Sequence, residues 1–259
     1  MIELEQIRTF FPKNIWPFRT NMLREYLQYK ILESIFSSPH ASKLAFMGGT
    51  CIHIIHGCPR FSEDIDFDNL RISEDDFEKL AKIIKNDMER DGYTVELKTV
   101  IKSAFRAKLR FPNILFESGL SGHRDQKMLI QIDMEPQRFE YEPDKRIISK
   151  FDVFTRINTV PADILLSQKL SCIFCRKRPM GRDFYDTLFL IGKTKANPDY
   201  LDEKLNIRSE NDLVSKLRLR CRELDFKRLA RDVEPFIFKK QDINRVLLFE
   251  EYIINLCTG

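Results

Sequence analysis

Leu44-Ala-Phe-Met-Gly-Gly-Thr50 and, a short way downstream, Asp64-Ile-Asp-Phe67 decide how this chain is read. The first is a short apolar strand running into two glycines and a hydroxyl, then a helical stretch over residues 51–57 that stops at Gly57. Glycines just before a helix leave backbone N–H groups open to an anion, and the helix dipole adds to the attraction. Gly48 and Gly49 would form that cradle, with Thr50 adding a hydroxyl. In the second stretch acid and apolar residues alternate. On a strand, Asp64 and Asp66 then project from one face while Ile65 and Phe67 pack on the other. Two carboxylates aimed at one spot repel unless a cation lies between them. Magnesium (or manganese) is the natural occupant, because a hard divalent ion takes oxygen ligands and keeps waters that a substrate phosphate can replace. A phosphate cradle beside a metal site is what phosphoryl or nucleotidyl transfer needs. The plain alternative, a Gly-Gly turn and a solvated strand edge, is outweighed by the two features standing together.

A third acid lies further along. Gln131-Ile-Asp-Met134 places Asp133 in an otherwise apolar strand. If that strand lies beside residues 64–67, Asp133 completes a three-carboxylate cluster able to hold two metal ions. Around these motifs, Met22, Leu23, Leu27, Ile31, Leu32 and Ile35 form a helical stripe over 19–36. A second helix runs from Glu74 to about Asp91, opened by Ser73-Glu-Asp-Asp. Strands are expected over 94–101, 105–111 and 128–134, half-buried and antiparallel. Beyond residue 150 the pattern turns helical, over 161–176, 183–191 and most of 210–257. Strand-rich followed by helix-rich sequence predicts an α+β protein, with an α/β core over residues 1–155 and a helical domain over 156–259.

Composition narrows the class. With 259 residues, 43% apolar and 32% charged side chains, and only 9 Gly and 11 Pro, the chain can bury a large core and is no collagen or disordered linker. The net charge of +4 permits anionic partners without demanding them. No apolar run reaches the ~18 residues that cross a bilayer. Met1-Ile-Glu-Leu-Glu5 carries acids where a signal peptide has basic residues. A cytoplasmic protein with no membrane partner is expected. Six cysteines (Cys51, Cys58, Cys172, Cys175, Cys221, Cys257) suit that compartment. The single C-x-x-C at Cys172 and Cys175, and the pair His53 and His56, lack the further ligands of a zinc site and are read as thiols and packing or polar-face histidines. The basic residues of 216–222, with Lys227, Arg228 and Arg231, are diluted by acids and read as a solvated helix surface.

Leu44–Thr50 and Pro59-Arg-Phe-Ser-Glu-Asp-Ile-Asp-Phe67 closely resemble the AbiEii/AbiGii toxin family of nucleotidyltransferases, in the DNA polymerase β-like superfamily. The likeness extends back to Arg24-Glu-Tyr-Leu27 and on to Leu166-Ser-Gln-Lys-Leu170 and Gly181-Arg-Asp-Phe-Tyr-Asp186. It implies a polymerase β-like core, a mixed and mostly antiparallel sheet with flanking helices, followed by a helical C-terminal domain that contributes Lys169 and Asp183 to the site. Asp64 and Asp66 would hold magnesium, Ser62 would stand beside the first acid, and Asp133 would be the third carboxylate, helping to deprotonate the attacking hydroxyl or holding its metal. Lys169 and Asp183 match the lysine and aspartate of the two later motifs. Lys169 can neutralise triphosphate charge, and Arg182, with Arg176-Lys-Arg178, can add phosphate or RNA contacts. Without the family, Lys169 is a surface lysine and Asp183 a helix N-cap with Asp186 at the third helical position; Asp186 itself is read as structural. The activity implied is transfer of a nucleoside monophosphate from an NTP to an acceptor hydroxyl, RNA or tRNA first, by the toxin half of a toxin–antitoxin or abortive-infection pair with an antitoxin partner. Two alternatives stay open: a nucleotidyltransferase acting on a protein or small molecule, and a catalytically silent member that binds RNA or a partner.

Overall fold

A computed structural model describes residues 2–102 and 104–255; Met1 and Cys257 lie outside the described residues. The chain divides into two units, one holding Met1–Gly57 and Phe61–Val160, the other Cys58–Arg60 and Pro161–Gly259.

The elements of the first unit, in chain order, are α1 (Leu4–Thr9), α2 (Arg19–Phe36), β1 (Leu44–Met47), α3 (Gly48–His56), β2 (Ile65–Asn69), α4 (Glu74–Arg90), β3 (Glu96–Ile101), β4 (Phe105–Phe111), α5 (Ile114–Glu117), β5 (Met128–Glu135), β6 (Asp144–Lys150) and β7 (Val153–Thr159). One seven-stranded sheet has the order β3-β4-β5-β2-β1-β7-β6. Its pairings are antiparallel except β2 with β5 and β1 with β7. Thr159, Phe46, Phe67, Met134 and Phe105 form one lateral row across five strands. Thr159, Phe46, Phe67 and Met134 are buried in that row, and α2 lies on this face, with Phe36 6.0 Å from Phe67 ring to ring. The stripe predicted for α2 is buried as expected, because those positions recur every three or four residues. In α4 the Ser73 hydroxyl accepts from the Asp76 N–H, three acids occupy the first turn, and Phe77, Leu80, Ala81, Ile84 and Met88 form the buried stripe.

The second unit contains α6 (Ala162–Cys175), α7 (Gly181–Ile191), α8 (Pro198–Leu205), α9 (Glu210–Cys221), α10 (Phe226–Val233), α11 (Asn244–Leu247) and α12 (Phe249–Asn255). Gly181 opens α7 so close to α10 that a side chain there would overlap the Leu229 carbonyl. Phe184 and Phe249 meet edge to face at 5.0 Å in its core.

Three differences from expectation have physical causes. Strands β6 and β7 continue the sheet past residue 150, so the first unit ends at Val160 rather than 155. Cys58–Arg60 belongs with the helical unit, because Arg60 bridges to Ile237 and the Pro59 carbonyl accepts from the Phe238 N–H. The expected helix over 210–257 is broken at Glu234–Phe236 and Lys240–Ile243, the first break carrying Pro235, which cannot donate to a helix ladder. No helix of the described residues is long and apolar enough to cross a membrane.

Candidate active site

Gly48 stands at the junction of β1 and α3 with φ +77°, a conformation that favours glycine. It also lies against Asp66: a side chain at residue 48 would overlap the Asp66 carboxylate. The cause is register, since Met47 at the end of β1 pairs with Asp66 on β2. The glycine motif and the second acid are therefore one packed corner. The N-cap residue of α3, Met47, makes no side-chain cap bond, and the leading N–H groups of a helix are suited to an anion. Thr50 corrects the expectation made for it. Its side chain is fully buried and its hydroxyl donates to the Asp64 carbonyl, so it braces the acid-bearing strand and does not face a phosphate. Ser62 is also buried; its carbonyl and that of Glu63 each accept from Gln28 Nε2 at 3.0 Å.

The helix behind this corner is anchored from below. His53 of α3 meets Glu25 of α2 at 2.9 Å, and Lys150 reaches the other oxygen of Glu25 at 2.7 Å. Burial alone would raise the Glu25 carboxyl, but His53 and then Lys150 hold it below its ordinary value. His53 is thus a helix anchor.

Half-buried Asp64, just before β2, and Asp66 within it alternate with buried Ile65 and Phe67. Asp66 pairs with Asp133 on β5, and Asp133 pairs in turn with Arg106 on β4. Laterally paired residues share a sheet face, so Met47, Asp66, Asp133 and Arg106 form one row opposite the α2 face. Both Asp133 oxygens are engaged: Arg106 Nε donates at 2.5 Å and Gln131 Nε2 at 2.7 Å. Asp68, next on this face, is buried and accepts from the Gln137 N–H at 2.9 Å and the Tyr141 hydroxyl at 2.8 Å. Among the described residues, no three His, Cys, Asp or Glu side chains gather as a metal-binding group. Asp133 stands beside Asp66 in register, and the Arg106 guanidinium supplies its counter-charge. Asp64 and Asp66 suit magnesium in its commoner protein setting, where one or two carboxylates suffice and water or substrate phosphate completes the shell.

In the second unit Lys169 is buried, 8% exposed, which excludes the surface-lysine reading. Its ammonium lies 3.0 Å from Asp183 and 2.9 Å from Asp186. Arg60 holds Asp186 side-on, donating from Nε to Oδ1 and from Nη2 to Oδ2, both at 2.6 Å, and Arg176 stands 3.4 Å from Asp183. Burial disfavours charge on all of these groups. Asp186 nevertheless has its carboxyl lowered, by Arg60 and then Lys169, and Lys169 has its amine raised, by Asp186 and then Asp183. Asp183 is inside the first turn of α7, whose N-cap is Met180, so the N-cap reading is corrected. Arg182 is half-buried on the same turn. Sequence reading missed Arg60, Arg106 and Gln28; an arginine in the apolar neighbourhood of Pro59 and Phe61 was the available signal for the first. The basic helix surface is partly spent internally, Arg220 on the Ile173 carbonyl and Lys216 on Asp212 and the Asn206 carbonyl. The cysteines of the C-x-x-C are free thiols.

A mixed sheet with a glycine corner packed on a strand-borne acid is the architecture of a nucleotidyltransferase-like α/β protein. The chain belongs to the nucleotidyl transferase AbiEii toxin family of type IV toxin–antitoxin systems, whose family model matches residues 30–245. Two crystal structures are similar in fold. JHP933 from Helicobacter pylori is 16% identical, with a TM-score of 0.52 over 92% of this chain and 95% of that one. A candidate nucleotidyltransferase from H. pylori is 16% identical, with a TM-score of 0.51 over 92% and 97%. No curated protein matches by sequence.

Proposed function

We propose that the protein transfers a nucleoside monophosphate from an NTP to a hydroxyl of an RNA acceptor, tRNA first, with magnesium (or manganese), as a toxin restrained by an antitoxin partner. The observation that carries this reading is the Gly48 corner packed on Asp66, with Asp133 beside it in register. The leading amides of α3 bind polyphosphate, and Asp64 and Asp66 would hold the divalent ion. When bound, that ion would offset phosphate charge. Asp133 takes the proton of the acceptor hydroxyl: its two hydrogen bonds leave carboxylate lone pairs unused. The acceptor oxygen bonds to the α-phosphorus, the α–β bridging bond breaks, and pyrophosphate leaves. Lys169, Asp183 and Arg182 act as the later family motifs imply, Lys169 through a cation kept protonated by Asp186 and Asp183.

The test is incubation with NTPs labelled at the α-phosphate, magnesium and total tRNA, alongside Asp66→Asn. Label should enter RNA with the wild type and not with the variant or with chelator present. Equal labelling by both proteins removes the assigned site; no label on RNA, protein or small molecule overturns the transferase reading.

A further inference from the structure

The β6–β7 hairpin has one face the transferase site does not use. Register pairs Lys145 with Asn158, Ile147 with Arg156 and Ser149 with Phe154, which places these six side chains on one face. The other face carries Ile148, Val153, Ile157 and Thr159, all buried. Through the rows Thr159–Phe46 and Phe46–Phe67, that buried face is the α2 side of the sheet. The six outward residues therefore share the face that bears Asp66 and Asp133.

Phe154 is 73% exposed and Ile147 58%, the two most exposed large apolar side chains of the sheet. A bare phenylalanine on a strand costs solubility and contributes nothing to the core. Arg156 is its neighbour along β7, and Lys145 follows one residue pair further on, level with Asn158. Neither Lys145 nor Arg156 has an ion-pair partner among the described residues, whereas Arg146, pointing the other way, is paired with Asp144 at 2.9 Å. No acid is among the six. Phe154 and Ile147 alternate with Ser149 and Arg156 in a checkerboard, so no continuous apolar patch forms. Six residues also fall well short of the roughly 20–30 a side of a stable protein interface. An aromatic ring beside unpaired cations on an open sheet is instead suited to an unstacked base and its phosphates.

We propose that this face of β6–β7 is a docking platform for single-stranded RNA, with Phe154 stacking a base and Arg156 and Lys145 receiving the backbone. The platform specifies how an RNA acceptor is held, and in that respect rests on the proposed function. From Asp66 it lies roughly 20 Å along the strands and roughly 10 Å across them, so it grips a segment several nucleotides from the reacting hydroxyl.

The test is fluorescence anisotropy with a labelled single-stranded RNA oligonucleotide and its duplex, without NTP or metal. Phe154→Ala should weaken single-strand binding about tenfold, and Phe154→Trp should retain it. Lys145→Ala with Arg156→Ala should reduce the salt slope by about 1.4, two contacts at ~0.7 each. All three positions are exposed, and unchanged melting curves would verify that the variants fold. Wild-type affinity in Phe154→Ala, an unchanged salt slope, or equal binding of duplex overturns the proposal. So does self-association in light scattering that Phe154→Ala abolishes, which would make the face a protein interface. Because binding is read without catalysis, a platform that binds RNA in a protein that transfers nothing sinks only the transferase reading, and the reverse result sinks only the platform.

Discussion

Replacing Arg60 by methionine, a side chain of similar length, removes a guanidinium from a site closed to solvent. Arg60 is 1% exposed and its partner Asp186 0%, and the two are joined by parallel bonds of 2.6 Å. The desolvation of both ions is incurred on folding and offset only by their pairing. Taking one away leaves Asp186 with Lys169, which Asp183 already shares. Breaking a buried pair in this way costs about 3–5 kcal/mol, equivalent to a fall in Tm of about 6–20 °C for a chain of this size. Urea unfolding should show the loss as a lower midpoint with an unchanged slope. The pH dependence has a definite sign. Asp186 has its folded carboxyl lowered, so its stabilisation is present above the unfolded carboxylate range and lost as pH falls through the lowered folded value. Arg60→Met removes the main cause of that lowering, so wild type and variant should converge in stability toward acid. Arg60→Met combined with Asp186→Leu should recover much of the loss, because an apolar pair leaves no buried ion of its own. A cost below about 1 kcal/mol, the range of an exposed pair, would refute the reasoning.

Gly48→Ala should cost about 1–3 kcal/mol through its left-handed backbone alone, and more through overlap with Asp66; thermal melting measures the loss, and label transfer should fall with it. Glu25→Gln should destabilise at neutral pH and lose that effect on acidification. The Glu25 carboxyl is lowered in the fold, so its advantage is present above the unfolded carboxylate range and is lost as pH falls through the lowered folded value. Chemical denaturation at pH 7 and pH 3 measures the difference, and an equal deficit at both would count against the His53–Glu25–Lys150 anchor.

How much of this was legible beforehand differs by residue. The strand–glycine–helix corner was, because a left-handed turn demands glycine and alternation of Asp64, Ile65, Asp66 and Phe67 marks a half-buried strand. Asp133 was legible as an acid in an apolar strand, yet its partner Arg106 was not. Strands β6 and β7 escaped because each has an outward face mixing Ile147 and Phe154 with Lys145 and Arg156, which blurs the alternation expected of an edge. Thr50 reads as a phosphate ligand by position, and only burial assigns its hydroxyl to the Asp64 carbonyl.

By itself the sequence determined the local features: where most of the helices and the strands up to β5 run, which corner must be glycine, and which acids share a strand face. These depend on side-chain volume, periodicity and φ, all of which act over a few residues. The tertiary structure decided the charge partners. Arg60 and Asp186 are 126 positions apart, and Arg106 and Asp133 are 27. An ion pair depends on distance in space and on the removal of water, and neither is written in the spacing of residues along the chain.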